Sequence, residues 1–190
     1  RHLLFSTSAP AMKVLHLNQT HSNKIFDADD IFYSNFSAGD GLISHTKNKL
    51  LCVTIADCGS VLFFDPNYSI IGAVHCGWKG TLDGVIENII EKISEQTRVS
   101  NLTAFIGPMI RQENYSVGHE FTSYFDAKYF KEFSGILKFD LNAVIHDKLS
   151  HNGISNIIDC GFDTYSNPDL FYSHRRNSLA GRMCAFIGLK

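Results

Sequence analysis

The stretch Ile70-Ile71-Gly72-Ala73-Val74-His75-Cys76-Gly77-Trp78-Lys79-Gly80 decides how this chain is read. Residues Ile70 to Val74 form an unbroken apolar run, the pattern of a strand buried on both faces. Gly77 and Gly80 then permit a tight turn and a close backbone approach. From about Leu82 to Gln96 the period changes. Leu82, Val85, Ile86, Ile89, Ile90 and Ile93 keep i, i+3, i+4 spacing, with Glu87, Glu91, Lys92 and Glu95 outside that stripe. A buried strand delivers His75 to a turn, and an amphipathic helix leaves from it.

Working outward, similar runs predict strands at Leu3–Ser6, Lys13–Leu17, Gly41–Ser44, Leu50–Ala56, Val61–Phe64, Leu102–Ile106, Ile136–Phe139, Ile154–Ile158 and Cys184–Leu189. An aromatic-rich helix is expected around Phe121–Phe133, and another from Asp140 as N-cap to just before Gly153. Strands that follow one another early, with helices separated later, favour the α+β class over a doubly wound sheet.

With 190 residues, 44% of them hydrophobic, the chain can bury a substantial core, and no Pro-, Ser- or Gly-rich linker divides it; one domain over residues 1–190 is expected. A net charge of -2 and a pI of about 6.5 give no general field for nucleic acid or an acidic membrane surface. No apolar stretch approaches the roughly 20 residues that span a bilayer, and no charged-then-apolar leader opens the chain. The cysteines at 52, 58, 76, 160 and 184 form no CxxC pair and are odd in number. That usage suggests free thiols in a reducing cytoplasm, with Cys52 and Cys184 as core residues. The oligomeric state is left open.

Three segments carry groups that bind soft transition metals: Gln19-Thr20-His21-Ser22, Ala56-Asp57-Cys58 and the His75 turn. A Cys at a strand end is usually a small buried hydrophobe, and a lone His is usually a surface or hydrogen-bonded residue. His45, His119, His146 and His151 are left as such. His21, Cys58 and His75 differ because their segments lie at the ends of apolar runs or in polar turns that can converge on one sheet edge. Two imidazoles and a thiolate favour zinc or copper. Three protein ligands with a vacant fourth position is the catalytic form of zinc. Nine His without one HxH pair are too few and wrongly spaced for a copper cluster, so zinc is preferred and copper is the alternative metal.

The same residues resemble the laccase-domain family, described also as multicopper polyphenol oxidoreductases of the YfiH type and as purine nucleoside phosphorylases. Matching motifs run in order: Gln19-Thr20-His21, Gly39-Asp40-Gly41-Leu42-Ile43-Ser44, Ala56-Asp57-Cys58, His75-Cys76-Gly77-Trp78-Lys79-Gly80, Ile106-Gly107-Pro108, Tyr115-Ser116-Val117-Gly118, Asp159-Cys160, and Phe171 to Arg176 with Gly181-Arg182-Met183. The chain departs from the family in a shortened N-terminal region after Phe5-Ser6-Thr7, in Cys76 where a small inert residue is usual, and in Lys79 where Arg is common. The resemblance implies a layered α/β/β/α sandwich. It also implies phosphorolysis of adenosine, inosine or guanosine to free base and ribose 1-phosphate, with adenosine deamination as a second activity.

On that reading His21, Cys58 and His75 hold the metal. Asp57, Cys58 and His75 are catalytic, with Asp57 either shuttling protons or orienting a ligand His. Gln19, Lys79, Arg175 and Arg176 bind substrate or phosphate, since guanidinium forks suit phosphate geometry and the Gly77 to Gly80 turn offers unpaired N–H groups. The ordinary alternatives are a strand-to-helix turn anchored by Trp78 and a solvated charged turn around His174, Arg175, Arg176 and Arg182. Two other functions use the same residues: a metal-free cysteine hydrolase with a Cys58/His75 dyad, which leaves His21 unexplained, and a metal-binding module without catalysis.

Overall fold

A computed structural model of the protein describes residues 12–30, 34–65, 67 and 70–190; the strand expected at Leu3–Ser6 lies outside them. The strands are β1 (Lys13–Leu15), β2 (Ile25–Asp27), β3 (Gly41–Ser44), β4 (Lys49–Ile55), β5 (Gly59–Asp65), β6 (Ile70–Cys76), β7 (Thr103–Ile106), β8 (Phe130–Phe133), β9 (Ile136–Phe139), β10 (Asn156–Asp159) and β11 (Met183–Leu189). The helices are α1 (Trp78–Leu82), α2 (Val85–Ser94) and α3 (Leu141–His151).

β6 is buried along its whole length, as its apolar run requires. It lies inside a six-stranded mixed sheet of order β10-β7-β5-β6-β3-β2. A smaller sheet, β1-β4-β11, packs on one face of it, and α2 and α3 cover the other. The alternation along β6 assigns its residues to two cores. Ile70, Val74 and Cys76 face the helices with Ile86, Ile89, Ile93 and Phe63. Ile71 and Ala73 face Leu51, Val53 and Leu189 between the sheets. His75 has the parity of Ile71 and Ala73, so it points toward the β4 side at the end of its strand. The described residues thus form helix, sheet and sheet layers of an α+β fold. The outer face of the small sheet carries exposed Val14 and Phe186.

The helix expected at Leu82–Gln96 is divided. Gly84 adopts a left-handed conformation (φ 91°) between α1 and α2. The stripe Val85, Ile86, Ile89, Ile90 and Ile93 is buried as expected, each side chain contributing roughly 1.5–3 kcal/mol over exposure. α3 starts where its cap sits: the Asp140 side chain accepts from Ala143 N at 2.9 Å.

The helix expected at Phe121–Phe133 does not form. Residues His119–Ser123 and Ala127–Tyr129 make 3-10 turns, and β8 follows. The i, i+4 spacing of Phe121, Phe125 and Tyr129 imitates a helix. Phe121, Phe125 and Phe130 instead pack around the buried Phe139 ring at centroid distances of 5.5, 4.6 and 5.2 Å. Ser134 and Gly135 both have positive φ, as a tight hairpin turn requires, and this pairs β8 with β9.

The free-thiol expectation holds for Cys58, Cys76 and Cys160 and needs correction for the other two cysteines. Cys52 and Cys184 are joined by a disulfide with Cα atoms 6.2 Å apart, because both lie on the outward face of adjacent antiparallel strands. Among the described residues no helix is long and apolar enough to cross a membrane.

Candidate metal centre

Three segments meet where the two sheets converge. His75 ends β6, Cys58 lies between β4 and β5, and His21 lies in the turn between β1 and β2. One ligand atom from each falls within 4.8 Å of the others. Cys58 Sγ is 3.9 Å from His21 Nε2, and the two imidazole rings meet edge to face at 4.8 Å.

His21 and Asp57 are non-glycine residues with positive φ, 57° and 85°. Such conformations cost on the order of 1–2 kcal/mol and persist only where the surroundings impose them. The His21 turn is held by the buried Asp40 carboxylate, and the backbone at Asp57 by its own carbonyl, which accepts from Ile110 N at 2.9 Å. Asp40, wholly buried, accepts from the backbone N–H of Thr20 (3.2 Å), His21 (3.1 Å) and Ser22 (2.6 Å) and from the Ser22 hydroxyl (2.8 Å). Its Oδ1 also accepts from His75 Nδ1 at 2.8 Å, which leaves His75 Nε2 as the ring's free nitrogen. Burial pushes the Asp40 carboxyl up, but the bonds from His75 and Ser22 outweigh it and draw it down to about 2. Sequence reasoning misses Asp40 as a site residue, although it sits in the Gly39-Asp40-Gly41 motif.

Asp57 carries the other turn. Its carboxylate accepts from Thr164 Oγ1 (2.6 Å), Ser173 Oγ (3.0 Å) and Arg175 N (2.6 Å). The residue read as a proton shuttle is therefore tied to the segment around Arg175.

Burial raises the Cys58 thiol, but the His21 and His75 imidazoles outweigh burial and bring it down to about 6. For His75, burial works against protonation, yet Asp40 and Cys58 raise it to about 9. The two shifts act together, favouring a thiolate at Cys58 and a protonated ring at His75. Glycine gives the ligands room. A Cβ at Gly77 would lie 2.6 Å from His21 Cδ2, and one at Gly80 would lie 2.7 Å from Ser22 O. A second group of potential ligands, Asp27, Asp29 and His45, differs in kind. Asp29 is bonded to Lys49, Ser44 and the His45 backbone, a carboxylate already neutralised.

The residues expected to bind substrate divide. Gln19 commits its amide to Thr54: Nε2 donates to Thr54 O, and Oε1 accepts from Thr54 N and Oγ1, pinning the His21 segment to β4. Arg176 donates to the carbonyls of Thr164, Tyr165 and Phe171 and staples its own loop. Arg175 donates to Ser116 O at 2.7 Å and lies over the Tyr115 ring, 5.3 Å from its centroid, with donors to spare. Lys79 is exposed, its Nζ 5.5 Å from the Trp78 ring centroid. Tyr115 is likewise missed by sequence reasoning. Burial raises its phenol, and the charges of Cys58 and Asp57 raise it further, so it remains a protonated donor beside the centre.

Residues 1–190 match the family described as multi-copper polyphenol oxidoreductase laccase. A purine nucleoside phosphorylase of Rickettsia conorii is 39% identical over 180 residues, covering 90% of this chain and 74% of its own length. One of Campylobacter jejuni is 34% identical over 181 residues, covering 94% of this chain and 78% of its own length. The crystal structure of a hypothetical protein YfiH from Bacillus licheniformis superposes with a TM-score of 0.87 at 30% identity, over 96% of this chain and 76% of that one.

Proposed function

Because this chain belongs to the multi-copper polyphenol oxidoreductase laccase family, we propose that it acts as a purine nucleoside phosphorylase, the activity for which its relatives are named, with one zinc held by His21, Cys58 and His75. The observation that carries this reading is the meeting of two imidazoles and a thiolate in front of a buried carboxylate. The donor set fits the ion. Nitrogen and sulfur ligands about 2.0–2.3 Å from a tetrahedral zinc stand roughly 3.3–3.6 Å apart, and Cys58 Sγ and His21 Nε2, 3.9 Å apart, need only a small inward movement to reach that spacing. A carboxylate behind a ligand imidazole is the usual outer partner of such a centre. Copper also accepts these donors, but the described residues bring together one His/Cys/His group, which suits a single ion.

Zinc, when bound, supplies a Lewis acid that polarises an oxygen or activates a water. The chain supplies the rest. Asp40 fixes the tautomer of His75. Arg175, supported on Tyr115, presents guanidinium donors to phosphate. A phosphate oxygen bonds to the anomeric carbon as the glycosidic C–N bond breaks, and that bond's electrons leave with the base, which takes up a proton. Adenosine deamination, the second activity, requires a carboxylate that moves protons. Asp57 is adjacent to Cys58, but three accepted hydrogen bonds make it less free for that task.

One observation favours a second reading. Cys58 Sγ lies 3.9 Å from His21 Nε2 with His75 grouped beside it, and imidazoles so placed lower a thiol as they do for a cysteine nucleophile, so the Cys58/His75 hydrolase is the competing mechanism. Incubation of the protein with inosine or adenosine, with and without phosphate, separates the two. The proposal expects base and ribose 1-phosphate only when phosphate is present, with loss of activity on chelation. Turnover that ignores both phosphate and chelators would establish the hydrolase instead.

A further inference from the structure

Asp57 connects the two halves of the site. It precedes Cys58, and its left-handed backbone (φ 85°) turns the chain so that the thiol and the carboxylate take separate directions. The carboxylate, buried at 8% exposure, gathers three donors more than 100 positions away: Thr164 Oγ1, Ser173 Oγ and the backbone N–H of Arg175. The last bond, 2.6 Å long, fixes where the Arg175 side chain begins. Its far end is fixed by Ser116 O and the Tyr115 ring. A planar guanidinium held at both ends against one strained turn is pre-ordered to meet two oxygens of a phosphate, and ordering before binding is what raises affinity for a small ligand.

We propose that Asp57 is a positioning residue, setting the Arg175 guanidinium against the Cys58 turn so that phosphate and metal occupy one constellation. This rests on the phosphorolysis reading above and deepens it. Removing the carboxylate strands three donors, releases Arg175, and leaves the Cys58 thiol in place. The expected loss therefore falls on phosphate binding, with metal binding and the chemical step less affected. A proton-shuttling Asp57 would give the opposite pattern, with kcat lost and phosphate affinity kept.

The test compares Asp57→Ala, Asp57→Asn, Ser173→Ala and Thr164→Val in the zinc-loaded protein, reading kcat and KM for phosphate, zinc per chain, and direct binding of inorganic phosphate by calorimetry. Asp57→Ala is expected to weaken phosphate binding and raise its KM by about 10-fold or more, the effect of losing hydrogen bonds to a charged group, with zinc retained. Asp57→Asn keeps a carbonyl for Ser173 and the Arg175 amide and an NH2 for the Thr164 oxygen, so it should recover most of that loss. Ser173→Ala and Thr164→Val, each removing one donor, should show smaller shifts in the same direction, and they keep the test valid if Asp57→Ala does not fold.

Unchanged phosphate affinity in all four variants overturns the inference. So does a kcat collapse in Asp57→Asn with phosphate affinity intact. If the unaltered protein releases no base with phosphate, the phosphorylase reading fails, while calorimetric phosphate binding still decides the role of Asp57.

Discussion

Replacing Asp40 with Asn removes one oxygen from a carboxylate that accepts five hydrogen bonds, and the geometry leaves the new amide two poor choices. Oδ1 accepts from His75 Nδ1 and His21 N; Oδ2 accepts from Thr20 N, Ser22 N and Ser22 Oγ. If the amide keeps its carbonyl at Oδ1, its NH2 confronts the N–H groups of Thr20 and Ser22. Two donors, on exposed Thr20 and half-buried Ser22, then lose their acceptor, at up to roughly 1–3 kcal/mol each. If the amide flips, its NH2 donates to His75 Nδ1, the ring proton moves to Nε2, and the lone pair that would face the metal is lost. Either arrangement is expected to lower stability by about 2–5 kcal/mol and zinc affinity by about 10–100-fold.

The pH profile provides a second check. The Asp40 carboxyl lies at about 2 in the fold against an ordinary 3.8, a depressed value. Its contribution, about 2 kcal/mol, is therefore complete above pH 3.8 and lost as pH falls toward 2. Asp40→Asn should remove that part of the acid dependence. Urea unfolding of the zinc-free protein between pH 2 and 7, with competition against a chromophoric chelator, measures both effects. An Asp40→Asn protein with the same midpoint and the same zinc affinity would falsify the argument.

Zinc-free protein should be alkylated by iodoacetamide at Cys58 with an inflection near pH 6, zinc should protect it, and Cys58→Ser should lose most of the roughly one zinc per chain found by elemental analysis. Burial of Cys76, whose thiol is pushed far up, should keep it silent in the same peptide map. Arg175→Ala is expected to raise the KM for phosphate about 10-fold, while Arg176→Ala, which frees three carbonyls, should chiefly increase proteolysis between Thr164 and Arg176; equal kinetic effects would refute the division. Gly77→Ala places a methyl 2.6 Å from His21 Cδ2, so it should weaken zinc retention without unfolding the protein, and unaltered retention would show that the His21 turn yields freely.

Sequence periodicity locates the elements where one residue's environment repeats along the chain. The β6 run and the α2 stripe are such cases, because their partners are whole faces of sheet and helix. It fails at Phe121–Phe133, where ring spacing imitates a helix and the deciding partner, Phe139, comes after a hairpin turn. Ser134-Gly135 is the available signal, a dipeptide suited to positive φ between two short β-forming runs. The Cys52–Cys184 pair shows the same limit in another form. Each residue is readable as a strand position, but their meeting depends on the β4–β11 register, set by residues 132 apart in sequence.

In the candidate site, the donor groups are legible and their supports are not. His21, Cys58 and His75 stand out because imidazole and thiolate are uncommon and chemically specific, whereas Asp40 between two glycines reads as an ordinary turn. Its function lies in bonds to backbone 18 to 20 positions away and to His75 35 positions away. Such bonds leave no local pattern, since any sequence supplies the N–H groups. Yet the supports determine the chemistry. The left-handed His21 turn would relax without Asp40 behind it. Asp40 orders the His21 turn and Asp57 the Arg175 segment before any ligand arrives, so binding does not bear the cost of their ordering. Asp40 closes on the two histidines, and Asp57 closes on Cys58 and the Arg175 segment. On the proposed reading the candidate metal ligands and the candidate anion ligand are set by two acids, and activity should be more sensitive to the geometry of those two carboxylates than to the exposed Lys79.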